Sequence, residues 1–313
     1  MSVDHPIILA SLDLGSNSFH LLISEWRDGK LHELDRLKDL VQLARAVDDK
    51  GQLDAEAMER ALTSLQRCRK RLNQYPITYL RVVGTQILRQ CRDSDHFLTS
   101  AESLIQAPIE IISGDEEASL VYLGVSANLP PQQRAKRLLV LDVGGASTEL
   151  IVASNSDIDQ KVSLELGCVT LANRYFTSQT YILDSSLKES HEYAAQIFLS
   201  IKNRTGDKPI ELAVGASGTL RVLIDLLRDE SESQDSNVIH RHQLQAMIDA
   251  MTKTGRMDNA VPENLRWDVL PAGIAILAAF LQVFELDSIE VSKHSIKEGM
   301  MLNWLNQRAR HNN

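Results

Sequence analysis

Asp115, Glu116 and Glu117 put three carboxylates in a row, just after the apolar run Ile109-Glu110-Ile111-Ile112 and the breaker pair Ser113-Gly114. Acids at a helix start complement the positive end of the helix dipole whatever else they do. A carboxylate at a strand-to-helix junction can also act as general base towards a water molecule. Neighbouring helical residues point about 100° apart, so only one of Glu116 and Glu117 can face a given site. Glu117 is the expected base.

A second pair of acids flanks a turn. Asp142 closes the apolar run Leu138-Leu139-Val140-Leu141, Glu149 opens the next, and Gly144-Gly145-Ala146-Ser147-Thr148 lies between them. Both carboxylates can reach a Mg²⁺ that bridges phosphate oxygens. Glycine and small hydroxyl residues let successive backbone N–H groups converge in a concavity suited to those oxygens. Gly144, Gly145, Ser147 and Thr148 are the expected contacts.

The same pattern stands near the start of the chain, where Asp13 follows an apolar run and Gly15-Ser16-Asn17-Ser18 leads into Phe19-His20-Leu21-Leu22-Ile23. Asp13 can hold a divalent cation beside the turn, and Gly15, Ser16, Asn17 and Ser18 can cradle phosphate. An Asp before a glycine-rich turn also closes ordinary hairpins. Two copies in register, one per half, point to two similar domains facing each other across a phosphate site. The copies are unequal, because His20 stands where the second copy has Glu149.

Gly215-Ala216-Ser217-Gly218-Thr219 opens a helix after a strand, a geometry suited to anions through Gly215 and Ser217. It lacks the glycine spacing of a dinucleotide fingerprint and the Gly-Lys-Ser/Thr of a P-loop. Gly84-Thr85-Gln86-Ile87-Leu88-Arg89 repeats the strand-then-turn theme, with Arg89 as a candidate phosphate clamp. Arg67-Cys68-Arg69-Lys70-Arg71 is a basic cluster late in a helix, where cations complement the dipole.

The elements that must position these residues alternate. The first hairpin, a strand over residues 79–83, a helix over about 93–106, the strand 109–112 and the helix 115–125 read as an α/β domain with a mixed sheet. A further helix over residues 54–73 takes Asp54 as its N-cap. Pro130 and Pro131 exclude helix and mark residues 128–133 as the linker, which divides the chain into domains 1–127 and 128–313. Beyond it the second hairpin, a strand over 161–166, helices over 169–176 and 184–202, and a strand over 210–214 follow. Residues 229–237 read as an acidic surface loop, and the remainder as helical apart from a strand over 288–291.

With 313 residues the chain suits two domains, and 43% hydrophobic with 24% charged residues is ordinary globular composition. A net charge of -9 argues against nucleic acid as partner. Cys68, Cys91 and Cys168 are widely spaced without a C-x-x-C pair, as expected of buried thiols in a reducing cytoplasm. The start of the chain lacks a basic lead and reads as a strand, not a signal peptide. Residues 270–286 are the most apolar stretch, too short to span a bilayer comfortably, and are expected as a buried helix away from any membrane.

At these residues the chain resembles the exopolyphosphatase / guanosine pentaphosphate phosphohydrolase (Ppx/GppA) family, of the actin-like, Hsp70-like and sugar-kinase-like superfamily. The likeness covers essentially the whole chain. It rests on Asp13 to Ser18, Gly84-Thr85 with Leu88-Arg89-Gln90, Ile112-Ser113-Gly114 with Glu116-Glu117-Ala118, Asp142 to Gly145, Ser147 to Leu150, Glu165-Leu166-Gly167-Cys168 and Gly215 to Thr219. The resemblance implies two ribonuclease H-like (actin-like ATPase) domains with an interdomain cleft. It also implies Mg²⁺-dependent hydrolysis of a terminal phosphoanhydride in polyphosphate or guanosine pentaphosphate, and a homodimer. Glu117 would be the base, and Asp142 and Glu149 would serve the metal and the water. Ser119, Ala146 and Lys293 depart from the family pattern, as does the chain's short two-domain form, without the helical extension that holds long polyphosphate. Two alternatives stay open: an ATP-dependent phosphotransferase or ATPase of the same superfamily, and a catalytically weak polyphosphate or alarmone sensor.

Overall fold

Residues 6–47, 51–91, 94–176, 184–206, 208–227, 237–254 and 269–311 are described by the computed structural model. Ile7–Leu14 (β1) and Ser18–Arg27 (β2) form the expected hairpin. Lys30–Leu40 (β3) pairs outside β2, while Tyr79–Gly84 (β4) and Ile109–Ile111 (β5) add parallel strands on the other side, giving the order β3-β2-β1-β4-β5. β1 is buried on both faces, as a strand covered from both sides must be.

Ala55–Leu72 (α1) starts where Asp54 accepts the amide N–H of Ala57 at 2.6 Å, as the sequence predicts. Ala57, Ala61, Leu65, Cys68 and Leu72 recur at helical spacing and join Ala10, Leu12, Leu14, Phe19 and Leu21 in one core. The basic cluster late in α1 is tied down: Arg67 pairs with Asp39 and Arg71 with Asp35, both on β3. Gln86–Gln90 (α2), Ser94–Ile105 (α3) and Gly114–Ser126 (α4) complete this part of the chain.

The second sheet repeats the plan. Pro131–Arg134 (α5) leads into Leu138–Val143 (β6), Thr148–Ser154 (β7) and Asp157–Leu164 (β8). Cys168–Tyr175 (α6), Asp184–Lys202 (α7), Leu212–Gly215 (β9), Gly218–Leu227 (α8), Val238–His240 (β10), Arg241–Thr254 (α9), Leu270–Val283 (α10) and Ser288–Val291 (β11) follow. The order β10-β11-β9-β6-β7-β8 is that of the first sheet read from the other edge, with β10 as an added edge strand. The chain is therefore two ribonuclease H-like domains. α10 is the buried helix expected of the apolar stretch, and among the described residues no helix is long and apolar enough to cross a membrane.

Two expectations differ from the structure. Pro130 and Pro131 do not exclude helix: they are the N-cap and first residue of α5, where proline's missing N–H costs nothing. β10 is a strand in a region read as helical, and its three residues are too few to show a period. The acidic residues 229–236 lie outside the described residues.

The chain divides into residues 1–124 with 294–313, and residues 125–293. The last helix, Ile296–His311 (α11), thus groups with the first sheet, whereas the sequence reading gave it to the second domain. Met301 packs with Leu9 and Leu22, and Trp304 stacks on Tyr79 with ring centroids 4.7 Å apart. Glycine permits the approach of α11 to α4. A Cβ on Gly299 would lie 1.9 Å from the Leu120 carbonyl oxygen, and one on Gly124 equally close to that of Ser295 at 1.9 Å.

Candidate active site

In the first unit the hairpin register sets Asp13 directly opposite His20. The turn between them is held from outside: the Asn17 carbonyl accepts from the amides of Val41 and Gln42, and the Ser16 carbonyl from that of Ala44. Gly15 is needed for closure, since a Cβ there would stand 2.9 Å from the Ser18 carbonyl oxygen. Asn17 donates to Ser18 Oγ at 3.2 Å, and its own Oδ1 is buried without a hydrogen-bond partner among the described residues.

Glu117 lies in the first turn of α4 and is only 8% exposed. The turn begins where Ser113 Oγ accepts the amide of Glu116 at 3.1 Å. Arg89 in α2 donates to Glu117 Oε2 from both terminal nitrogens at 3.1 Å, to Gln86 Oε1 from Nε and Nη2, and to the Ile112 carbonyl at 2.6 Å from Nη1. Those bonds occupy the five N–H donors of a guanidinium. Arg89, expected as a phosphate clamp, is thus the holder of Glu117, and it could meet a phosphate oxygen only by releasing a present partner.

In the second unit the register sets Asp142 opposite Glu149, the position matching Asp13 and His20. The Gly144 amide donates to the Ser147 carbonyl at 2.9 Å, closing the turn. Glu149 is 2% exposed and accepts from the hydroxyl of its cross-strand partner Ser163 at 2.7 Å. The Thr148 hydroxyl donates to the Leu166 carbonyl. Amides at the start of α6 reach back to the same turn: Cys168 to the Gly144 carbonyl at 3.0 Å, and Val169 and Thr170 to that of Gly145 at 2.8 and 3.2 Å. Gly167 makes this possible, since a Cβ there would lie 2.2 Å from the Gly145 carbonyl oxygen.

Gly215 ends β9 beside Leu141, which brings the third small-residue stretch next to the strand carrying Asp142. Ser217 Oγ caps α8 by accepting the amide of Leu220 at 3.0 Å. Sequence reasoning missed Ser163 and the structural task of Gly167. Gly167 carried a signal, because it lies in the Glu165-Leu166-Gly167-Cys168 stretch; Ser163 carried none, since only strand pairing places it beside Glu149.

Among the described residues no group of three or more His, Cys, Asp or Glu could hold a metal. Asp142 and Glu149 still fit Mg²⁺, which is commonly bound through one or two carboxylates with water and substrate phosphate completing an octahedron. Two hard oxygen donors on facing positions beside a small-residue turn are such a donor set.

The sequence matches the Ppx/GppA phosphatase family over residues 22–308. The chain belongs to the Ppx/GppA phosphatase family. It is 33% identical over 297 residues to a protein of Vibrio vulnificus named guanosine-5'-triphosphate,3'-diphosphate pyrophosphatase, covering 94% of this chain and 58% of the relative. A Vibrio atlanticus protein of the same name is 33% identical over 302 residues, with 94% and 59% covered. The chain thus spans less than two thirds of the length of these relatives. Among solved structures it is similar to an exopolyphosphatase from Cytophaga hutchinsonii, with a TM-score of 0.84 at 25% identity over 96% of this chain and 98% of that one. A Ppx/GppA enzyme of Aquifex aeolicus gives a TM-score of 0.77 at 25% identity, over 96% and 100%. Both likenesses extend across both Ppx/GppA domains.

Proposed function

We propose that this Ppx/GppA chain hydrolyses a terminal phosphoanhydride, taking guanosine 5'-triphosphate,3'-diphosphate to the 3'-diphosphate of GDP. The observation that carries the reading is the carboxylate of Glu117, buried at a helix start and fixed by Arg89 instead of left to solvent. A buried carboxylate must be paired to persist, and this pairing also holds it in one direction, as a base that must meet one water requires. The names of the Vibrio relatives support the substrate.

In this reading the water oxygen, oriented by Glu117, forms a bond to the terminal phosphorus, the bridging P–O bond breaks, and its electron pair leaves with the diphosphate oxygen. Glu117 takes the water proton. Backbone N–H groups of the Gly15–Ser18 and Gly144–Thr148 turns and of the Gly215–Ser217 stretch hold phosphate oxygens, which spread the charge that develops on them. Asp142 and Glu149 would hold Mg²⁺, which supplies neutralisation of those oxygens.

Polyphosphate presents the same terminal bond, and the Cytophaga neighbour is named for that activity. Phosphate release with Mg²⁺ from guanosine pentaphosphate, short polyphosphate, long polyphosphate and ATP, measured side by side, decides between them. Fastest release from guanosine pentaphosphate supports the proposal. Fastest release from polyphosphate moves the assignment to that substrate, and consumption of ATP alone overturns it.

A further inference from the structure

Arg81 sits in the middle of β4, beside Ser11 of β1, with only 8% of its side chain exposed. Its strand alternates, so Leu80 and Val82 enter the core under α1 while Tyr79 and Arg81 face the opposite side of the sheet. A charge in that position must be paired and hydrogen-bonded to persist. Arg81 Nε and Nη2 donate to Glu110 Oε2 on β5 at 3.2 and 2.8 Å, and Nη2 also donates to Glu116 Oε1 on α4 at 2.6 Å. Burial opposes the guanidinium charge, but the bonds to Glu110 and Glu116 outweigh it and hold the pKa above its ordinary value.

Glu116 immediately precedes Glu117, and their side chains leave the helix about 100° apart. The first turn of α4 has no preceding helical turn, and its Glu116 and Glu117 amides are held instead by Ser113 Oγ at 3.1 Å and the Ser113 carbonyl at 2.9 Å. Here two guanidinium groups grip adjacent residues of that turn, Arg81 from the sheet at Glu116 and Arg89 from α2 at Glu117. Those amide bonds run along the helix axis, and each grip adds a lateral restraint that they do not supply. Both together fix the direction in which the Glu117 carboxylate points.

We infer that Arg81 is a positioning residue for hydrolysis, acting through Glu116 to set the rotation of the first turn of α4 and hence the aim of Glu117. This rests on the reading of Glu117 as the group that orients water. Arg81 itself touches neither substrate nor the reacting atoms in this account. Its substitution therefore lowers kcat and leaves KM, whereas a residue that merely holds the fold together moves stability without that split.

The test takes the full chain as wild type, Arg81→Met, Arg81→Lys, Glu116→Ala, the Arg81→Met/Glu116→Ala pair and Glu117→Gln. Phosphate release from guanosine pentaphosphate with Mg²⁺ is read beside amide hydrogen exchange over residues 113–120. Arg81→Met and Glu116→Ala each lower kcat by about 10- to 100-fold, the order that a displacement of about 1 Å costs, with KM within about twofold. The pair is no worse than Arg81→Met alone, because both substitutions break the Arg81–Glu116 link, and Arg81→Lys recovers part of the loss. Exchange in the first turn of α4 speeds up in parallel. Glu116 is half exposed, so Glu116→Ala keeps the test open if Arg81→Met fails to fold.

Wild-type kcat and exchange in Glu116→Ala, or losses that add in the pair, overturn the inference. Wild-type turnover in Glu117→Gln overturns instead the reading of Glu117, and the exchange rates then decide by themselves whether Arg81 holds the turn.

Discussion

Arg89 places both terminal nitrogens of its guanidinium on one oxygen of Glu117, each at 3.1 Å. Two charged donors on one oxygen fix the position of that oxygen. Glu117→Gln is expected to cut kcat by about 10² to 10⁴-fold, the usual weight of a general base, with KM little changed. Arg89→Met removes this contact and is expected to lower kcat by about 10- to 100-fold. Steady-state phosphate release measures both, and wild-type rates in Glu117→Gln would remove it from the reaction.

Ser163→Ala takes a hydrogen bond from the buried carboxylate of Glu149. If Glu149 holds Mg²⁺, the concentration of Mg²⁺ giving half-maximal activity rises by about 10- to 100-fold, the cost of losing a partner behind a metal ligand. Titration of activity against Mg²⁺ reads this out. An unchanged midpoint would place Glu149 away from the metal.

Gly167→Ala sets a methyl group 2.2 Å from the Gly145 carbonyl oxygen. Backbone cannot yield as a flexible side chain does, so the loop or α6 must move, at a cost of about 1–3 kcal/mol or more. The urea midpoint should fall at constant m, and KM should rise because the Gly144–Thr148 turn shifts. A variant as stable as wild type would mean that the approach of α6 relaxes freely.

Burial, with the Asp39 charge adding to it, pushes the Cys68 thiol up to about 12 from an ordinary 9.0. The folded thiol therefore stays protonated while the unfolded one ionises between about pH 9 and 12. Its contribution to stability is whole below that window and is lost across it as pH rises. Urea unfolding at pH 8, 9 and 10 should show the decline, and Cys68→Ala should flatten it. At pH 8 a thiol reagent should leave Cys68 unmodified until denaturant is added.

The features legible in the sequence were local. The two hairpins pair as their repeated pattern requires, with Asp13 on His20 and Asp142 on Glu149, because a short turn fixes register. Asp54 caps α1 for the same local reason. The bond from Arg89 to Glu117 was not legible, since the path from α2 to the first turn of α4 depends on how two loops return from one sheet. α11 went to the wrong half because its partners Leu9, Leu22 and Tyr79 lie hundreds of residues upstream. Its Gly299 gave a faint sign, read only when the backbone of α4 is seen against it.

The ribosome releases β1 to β5 well before Ile296–His311, yet Leu9 and Leu22 take part of their cover from Met301, and Tyr79 from Trp304. Residues 125–293 are continuous and need wait for nothing later in the chain. Of these two halves, the one begun earlier is consequently completed after the other. During synthesis one face of its sheet is sticky and uncovered, a state prone to association, and chaperone protection in that interval matters most for the amino-terminal strands.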